Sequence, residues 1–481
     1  MIISEFHTTN KKQIKNESMK KIIVLLSIIL TINIVNAQQF NGLSDSILSI
    51  IKSSVTKDAA FKARQNAITG NSIQKLAVSK ENTSKIDNYF SNKVKTKGIT
   101  DQKSSGRCWL FTGLNFVRPK VIDKLNLTEF EFSQNYSFFW DQLEKSNLFL
   151  EIALATATKP FTDKTVEWAF KNPISDGGQW TTFADIVTKY GVVPKQIMPE
   201  TEQSDNTSKL SSILTSKLRE FGLEIRYAVT SAKNIDSIAA RKIEMLSEIY
   251  KILSLSLGTP PETFSWRYKD KDDKISKYKN YTPLSFYKEM LGINMEDYIM
   301  FMNDPTREYN KVYEIEYDRN MADGKNWKYL NLTVDELKKM AITSIINNNA
   351  LYFSCDVGKF LNKDNGVLDV NNFNYGDLFG TKFKMDKTQR IKTFDSGSSH
   401  AMTLIGVDLD KDSKPIKWLI ENSWGATYGF NGNLIMTDNW FSEYVFRLVV
   451  NKKYVPVYIQ KLLSQPAINL PPWDPMFSNE Q

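Results

Sequence analysis

Residues 104–125 constrain this chain more than any other stretch. Three small, turn-forming residues, Ser104, Ser105 and Gly106, lead into Cys108. Apolar residues then return at near-helical spacing: Trp109, Leu110, Leu114, Val117, Val121 and Leu125. The pattern predicts a buried helix with a thiol at its N-terminus. The first N–H groups of a helix lack intrahelical acceptors and sit at the positive end of its dipole, and both features favour a thiolate there. Gln102, six residues upstream, is placed to return an amide N–H to the same point, where it suits a developing oxyanion. Pro119 falls inside the predicted helix, where it removes one backbone bond and is expected to bend it. A cysteine at a helix start also fits an inert core thiol, so a reactive reading needs a base from elsewhere in the chain.

The sequence holds two histidines, His7 and His400. A start at Met19 removes His7 and leaves one. That excludes sites built on several histidines, including a zinc site with two on one helix, and no metal or cofactor is expected. His400 opens the strand-like run HAMTLIGVDL, which is followed by a turn at Asp410-Lys411-Asp412-Ser413 and a second run, PIKWLIENSWG. Two strands joined by so short a turn form a hairpin, bringing His400 beside Asn422. The asparagine carbonyl then holds one ring N–H and fixes the tautomer while the other nitrogen faces Cys108. Trp424 is placed to cover that contact from water. Earlier in the chain, Gly177-Gly178 precedes a helical run ending at Gly191. Paired glycines suit an ordinary turn, and equally a backbone that an extended peptide can approach and pair with.

Met19-Lys20-Lys21 begins a short basic stretch, Ile22 to Ile34 is almost wholly apolar, and Val35-Asn36-Ala37 supplies small residues for cleavage. The apolar run is short of the roughly 20 residues needed to cross a bilayer. The expectation is a cleaved signal at 1–37, export to the periplasm or beyond, and no membrane span in the mature chain. Removing residues 1–37 takes the formal charge from +8 to +5, too diffuse a balance to expect nucleic acid as a partner. Only Cys108 and Cys355 are present; Cys355 lies in the apolar run ALYFSCDVGKF and reads as a buried free thiol rather than a disulfide partner. Leu43, Ile47, Ile50, Ile51 and Val55 predict an amphipathic helix. FEFSQNYSFFWDQLEK predicts a core helix, and residues 196–390 carry helical patterning with dense charge. WRYKDKDDKISKYKNY (266–281) alternates in sign and reads as a solvated loop or hairpin. The proline-rich end, QPAINLPPWDPMFSNEQ, can only lie as an extended arm.

Cys, His and Asn in that chain order form the papain-type arrangement, and QKSSGRCWLF and ENSWG resemble the sequences around the catalytic cysteine and asparagine of those peptidases. His400 lies 292 residues after Cys108, against roughly 130–150 in papain and the cathepsins, so about 150 residues are inserted. With DGGQW, KYGVVPK, LGTPPETF, DPTREYNKVYEIEY, YFSCDVGK, HAMTLIGVD and PPWDPM in order from about residue 43 to the C-terminus, the chain resembles the bleomycin hydrolase/aminopeptidase C family.

The resemblance implies an α+β fold with a papain-like core, a helical half plus an antiparallel β half. Around it the family adds a large helical insertion, an N-terminal hook and a C-terminal arm. Those parts would fall at 38–97 (hook), 98–195 (helical half), 196–390 (insertion), 391–460 (β half) and 461–481 (arm). It further implies Cys108 as nucleophile, His400 as base, Asn422 as its orienter and Gln102 as oxyanion donor. Gly177 and Gly178 would pair with substrate, and the terminal carboxylate of Gln481, lying in the cleft, would meet the substrate's amine. Peptide substrates and a homohexamer follow. The implied activity is a cysteine aminopeptidase; the alternatives are a thiol endopeptidase or oligopeptidase, or a non-catalytic peptide-binding protein on the same scaffold. The arm departs from the family in ending Phe477-Ser478-Asn479-Glu480-Gln481 instead of in small apolar residues. Export departs from a group best known as cytosolic.

Overall fold

The computed structural model of the protein describes residues 42–231 and 234–477. The expected signal at 1–37, with His7, and the terminal Gln481 lie outside the described residues. The chain divides into two compact units, Met1–Leu76 and Ala77–Gln481.

In the first unit, helix Asp45–Ser53 starts where the Ser44 hydroxyl accepts from the Ile47 N–H, and helix Ala59–Gly70 where Asp58 accepts from the Phe61 N–H. The expected amphipathic helix is present. Its apolar side chains are exposed, Ile50 at 70% and Ile51 at 49%, and Leu43 and Val55 lie outside its ends.

The second unit has a helical part and a sheet. The predicted helix runs from Cys108 to Lys124 and continues through Pro119. Its stripe of Trp109, Leu110, Leu114, Val117 and Val121 is buried; each such side chain contributes about 1.5–3 kcal/mol by leaving water. Helix Gln134–Ala155 starts at a Ser133 cap, as FEFSQNYSFFWDQLEK predicts, and packs in the same core with Ser208–Thr230 and Ile235–Leu257. Helix Trp180–Tyr190 follows the paired glycines directly and ends at Gly191, whose φ of 77° suits a residue without a side chain.

The large sheet is antiparallel through its centre. Strand Val445–Asn451 lies between Tyr298–Met302 and Leu351–Cys355. Leu351–Cys355 pairs with His400–Leu409, which pairs in turn with Pro415–Glu421 and that with Asn433–Thr437. The hairpin predicted from His400 is therefore present. Its inner face shares a second core with Phe353, Met402, Trp418, Trp440 and Val445.

Helical patterning across 196–390 is continuous only as far as Leu257; beyond it the helices Pro283–Met290 and Val334–Ile346 alternate with strands. Tyr298–Met302, Val312–Ile315, Lys328–Asn331 and Leu351–Cys355 are strands of the same sheet as His400. Apolar runs of four or five residues show no period that separates a strand from a turn of buried helix. The expected hairpin forms, Phe264–Trp266 against Lys279–Tyr281; its charged loop is solvated, but Phe264, Trp266 and Tyr281 are buried in the helical core. The arm adds a parallel edge strand, Ile468–Leu470, beside Val312–Ile315. Both cysteines are free thiols. No helix among the described residues is long and apolar enough to cross a membrane.

Candidate active site

Cys108 is the first residue of its helix, so its backbone N–H is one of those with no intrahelical acceptor. The Ala401 and Trp109 backbone N–H groups act on its sulfur and favour the thiolate. Two contacts lock this helix to the sheet. The Thr112 hydroxyl donates to the Ala401 carbonyl at 2.9 Å, and Arg118 pairs with Glu421 at 3.1 Å, both buried. One ties the helix to the residue after His400, the other to the residue before Asn422.

His400 Nε2 lies 2.9 Å from Asn422 Oδ1. The Ser423 N–H donates to that same oxygen at 2.8 Å, which identifies it as the carbonyl end of the amide. An oxygen can only accept, so Nε2 carries the ring proton and Nδ1 is the basic nitrogen. Trp424 covers the imidazole, their ring centres 4.8 Å apart, as the sequence predicts.

Burial drives both groups toward their neutral forms. It pushes the Cys108 thiol up to about 11, against the pull of the two N–H groups on its sulfur. It also takes the imidazole down to about 4, against the hydrogen bond to Asn422. A neutral thiol beside a neutral imidazole is the resting form this environment favours, and the charge separated during proton transfer must be held by fixed donors.

Gln102 is oriented by a residue that the sequence reading did not single out. Ser423 donates its hydroxyl to Gln102 Oε1 at 2.7 Å, and Gln102 Nε2 donates to the Ser105 carbonyl at 2.7 Å. One amide hydrogen is thus engaged, leaving the second for another acceptor. Ser423 stands inside the ENSWG string, but its role depends on a contact 321 residues away in sequence.

The loop carrying the paired glycines is held by side chains from two helices. Lys145 donates to the Ser175 carbonyl at 3.0 Å and the Gly177 carbonyl at 2.5 Å, and Trp109 Nε1 to the Asp176 carbonyl at 2.9 Å. Gly106 N–H donates to Asp176 Oδ2 at 2.6 Å. A Cβ on Gly178 would meet the Trp109 ring at 2.7 Å, so the close packing here requires glycine.

Cys108, His400, Gln102, Gly177 and Gly178 line one cavity of about 320 Å³, and the sheet contributes Tyr352, Ser354 and Arg447 to it. Asn422 stands behind His400, 2% exposed. An adjoining recess of about 140 Å³ shares Gly177 and Gly178 and is lined by Phe149, Trp168, Tyr317 and the arm residue Phe477. Within the described residues the arm therefore borders the adjoining recess, not the Cys108 cavity itself, while Gln481 falls beyond them. Tyr352 and Arg447 were also missed by the sequence reading. The available signal was a charge inside the apolar run YVFRLVV.

A model of the Peptidase C1-like family matches residues 42–477. The chain is similar to bleomycin hydrolase of Mus musculus, 41% identical over 90% of this chain and 98% of that protein. It is similar also to aminopeptidase C of Lactobacillus delbrueckii subsp. lactis, 39% identical over 88% of this chain and 95% of that protein. Among solved structures, PepW from Lactobacillus rhamnosis HN001 superposes with a TM-score of 0.87 at 36% identity, covering 91% of this chain and 99% of that one.

Proposed function

The chain belongs to the Peptidase C1-like family, and from that membership we propose that it is a cysteine aminopeptidase acting on peptides. The single observation that carries this reading is the shared cavity: a thiol at a helix N-terminus, an imidazole with its basic nitrogen fixed by Asn422, and the oriented Gln102 amide.

Cys108 Sγ attacks the carbonyl of the first peptide bond as His400 Nδ1 takes its proton. The resulting oxyanion accepts hydrogen bonds from Gln102 Nε2 and the Cys108 backbone N–H. His400 then gives the proton to the departing amine, leaving a thioester on Cys108, and a water activated by the same nitrogen releases the acyl group as the free amino acid. Asn422 keeps Nε2–H engaged throughout and stabilises the imidazolium as it forms. Gly177 and Gly178 pair with the substrate backbone, the Gly177 carbonyl being held in place by Lys145.

The remaining parts of the proposal rest on the sequence. The basic, apolar and small-residue succession at 20–37 supports export and cleavage after Ala37. The resemblance to bleomycin hydrolase and aminopeptidase C supports a homohexamer, an N-terminal hook over 38–97, and an arm that limits substrates to those with a free amine.

The test uses the chain from Gln38 under reducing conditions. Fluorogenic aminoacyl substrates with free and with blocked N-termini are compared, alongside Cys108→Ala. Cleavage confined to free-amine substrates and lost in the variant is the expected result. Equal cleavage of blocked substrates would make the protein an endopeptidase, and turnover that survives Cys108→Ala would remove the thiol mechanism.

A further inference from the structure

Arg107 directly precedes the nucleophile, and no step of the proposed reaction uses it. Its neighbours Gln102, Ser105, Gly106 and Cys108 line the cavity. The Arg107 side chain turns the other way and is fully buried, its guanidinium 5.1 Å and 5.3 Å from the ring centres of Phe111 and Phe138. Two polar contacts fix it there. Nη1 pairs with Glu200 Oε2 at 2.8 Å, and Nε donates to the Ser105 hydroxyl oxygen at 3.0 Å.

The second contact sets the direction of a chain of hydrogen bonds. An N–H can only donate, so the Ser105 oxygen accepts from Arg107 and keeps its own proton for the Gln102 carbonyl, 2.6 Å away. The Ser105 carbonyl in turn accepts from Gln102 Nε2 at 2.7 Å. Ser105 therefore holds Gln102 at its backbone and at its amide, and Arg107 holds Ser105. The turn between them includes Lys103 at a φ of 53°, a left-handed conformation unfavourable for a residue with a side chain, so these ties oppose its relaxation.

Glu200 anchors the far end of the chain. It follows Pro199, whose carbonyl accepts from Asn135 Nδ2 at 2.7 Å, and the nearby Asp205 carbonyl accepts from the Ser104 N–H at 2.9 Å. The turn is thus fastened to residues 199–205, outside the helix that carries Cys108.

We propose that Arg107 is a positioning residue that acts through Ser105 to aim the Gln102 amide at the oxyanion, with Glu200 fixing the guanidinium. The proposal rests on the reading of the chain as a cysteine peptidase with Gln102 as oxyanion donor. Arg107 works through the direction of one N–H bond, not by contact with substrate. That bond strengthens only as the oxyanion forms, so weakening it lowers kcat and leaves KM nearly unchanged.

The test is a double-substitution cycle of Arg107 and Gln102, read as kcat and KM on a free-amine aminoacyl substrate. Alkylation of Cys108 by iodoacetamide is measured in parallel. It displaces iodide at a saturated carbon and passes through no oxyanion, so it reports on the thiol alone. Gln102→Ala sets the ceiling, a loss of about 100- to 1000-fold in kcat. R107Q is expected to lower kcat roughly tenfold, a fraction of that ceiling, with KM and alkylation unchanged. R107K keeps the charge without the fork and is expected to recover part of the loss. In the Gln102→Ala chain, R107Q is expected to cost nothing further, because the group it acts through is gone. Equal losses with and without Gln102 overturn the proposal, as does a kcat that R107Q leaves unchanged. A fall in alkylation that matches the fall in kcat also overturns it, and places Arg107 in support of the thiol. Should R107Q not fold, S105A is carried through the same cycle. A loss confined to the chain with Gln102 supports the proposal, and any other result overturns it. Turnover by the unsubstituted chain, abolished by Cys108→Ala, upholds the peptidase reading whatever the cycle gives. Its absence overturns that reading and the proposal with it.

Discussion

At the scale of single residues, His400 carries the clearest consequence for pH. A buried imidazole resists protonation, and its pKa of about 4 lies well below the ordinary 6.5. A base works only while unprotonated, so activity depends on the fraction of His400 that is neutral. That fraction stays near one down to about pH 5 and falls through pH 4. The acid limb of kcat/KM is therefore expected well below the pKa of free imidazole. The hydrogen bond from Nε2 to Asn422 favours the charged ring, so Asn422→Ala moves the limb lower still. It also frees the ring to take the wrong tautomer, lowering kcat/KM at pH 7 by about ten- to a hundredfold. A pH–rate profile of both proteins measures this. A limb near 6.5, unmoved by the substitution, would mean that the titrating base is not a buried, amide-held His400.

At the scale of elements, the site depends on a helix and a sheet meeting in one register. Arg118 and Glu421 are both almost fully buried, and the Arg118 guanidinium also donates to the Gly98 carbonyl at 2.8 Å. Replacing Arg118 by Met leaves the Glu421 carboxylate buried without its partner. That costs about 3–5 kcal/mol, whereas a joint Arg118→Met, Glu421→Met variant loses much less, because no charge is stranded. Urea unfolding of the single and double variants measures the difference. Equal losses would indicate that packing, not charge, joins the two elements. The parts of this junction differ in how readily sequence shows them. The helix at Cys108 and the hairpin from His400 to Asn422 are local patterns with a period and a turn, so they are legible. The partners of those elements are not, since Arg118 and Glu421 lie 303 residues apart and nothing in either run marks the other. The same holds for Ser423 on Gln102 and for Arg447 beside Ser354. Each depends on strand register or a long-range contact, and the strands at 298–355 that set the register are too short to show a period.

At the scale of the whole molecule, the proposed role of the arm is to decide whether the enzyme trims ends or cuts within chains. Among its contacts in the described residues, three bear on its end. Ile468–Leu470 pairs with the sheet edge, Asp474 pairs with Arg307, and Phe477 packs edge-on against Trp327. Arg307 is shared with Asp304, so it keeps a counter-ion when Asp474 is removed, and Asp474→Ala strands no charge. The substitution is expected to loosen the segment between the edge strand and Phe477 while leaving the Cys108 cavity intact. Overall stability should fall by no more than about 1–3 kcal/mol. If the arm screens substrates for a free amine, loosening it lowers the preference for free over blocked N-termini, by about tenfold for each 1.4 kcal/mol of lost anchoring. A chain ending at Leu470 should lose the preference altogether. Both are read as the ratio of kcat/KM on paired free and blocked substrates, with iodoacetamide alkylation of Cys108 as a check that the thiol is unchanged. Retention of the full preference by both variants would separate amine selection from the arm and place it in the cavity walls, where the carbonyl acceptors of the glycine platform would have to supply it.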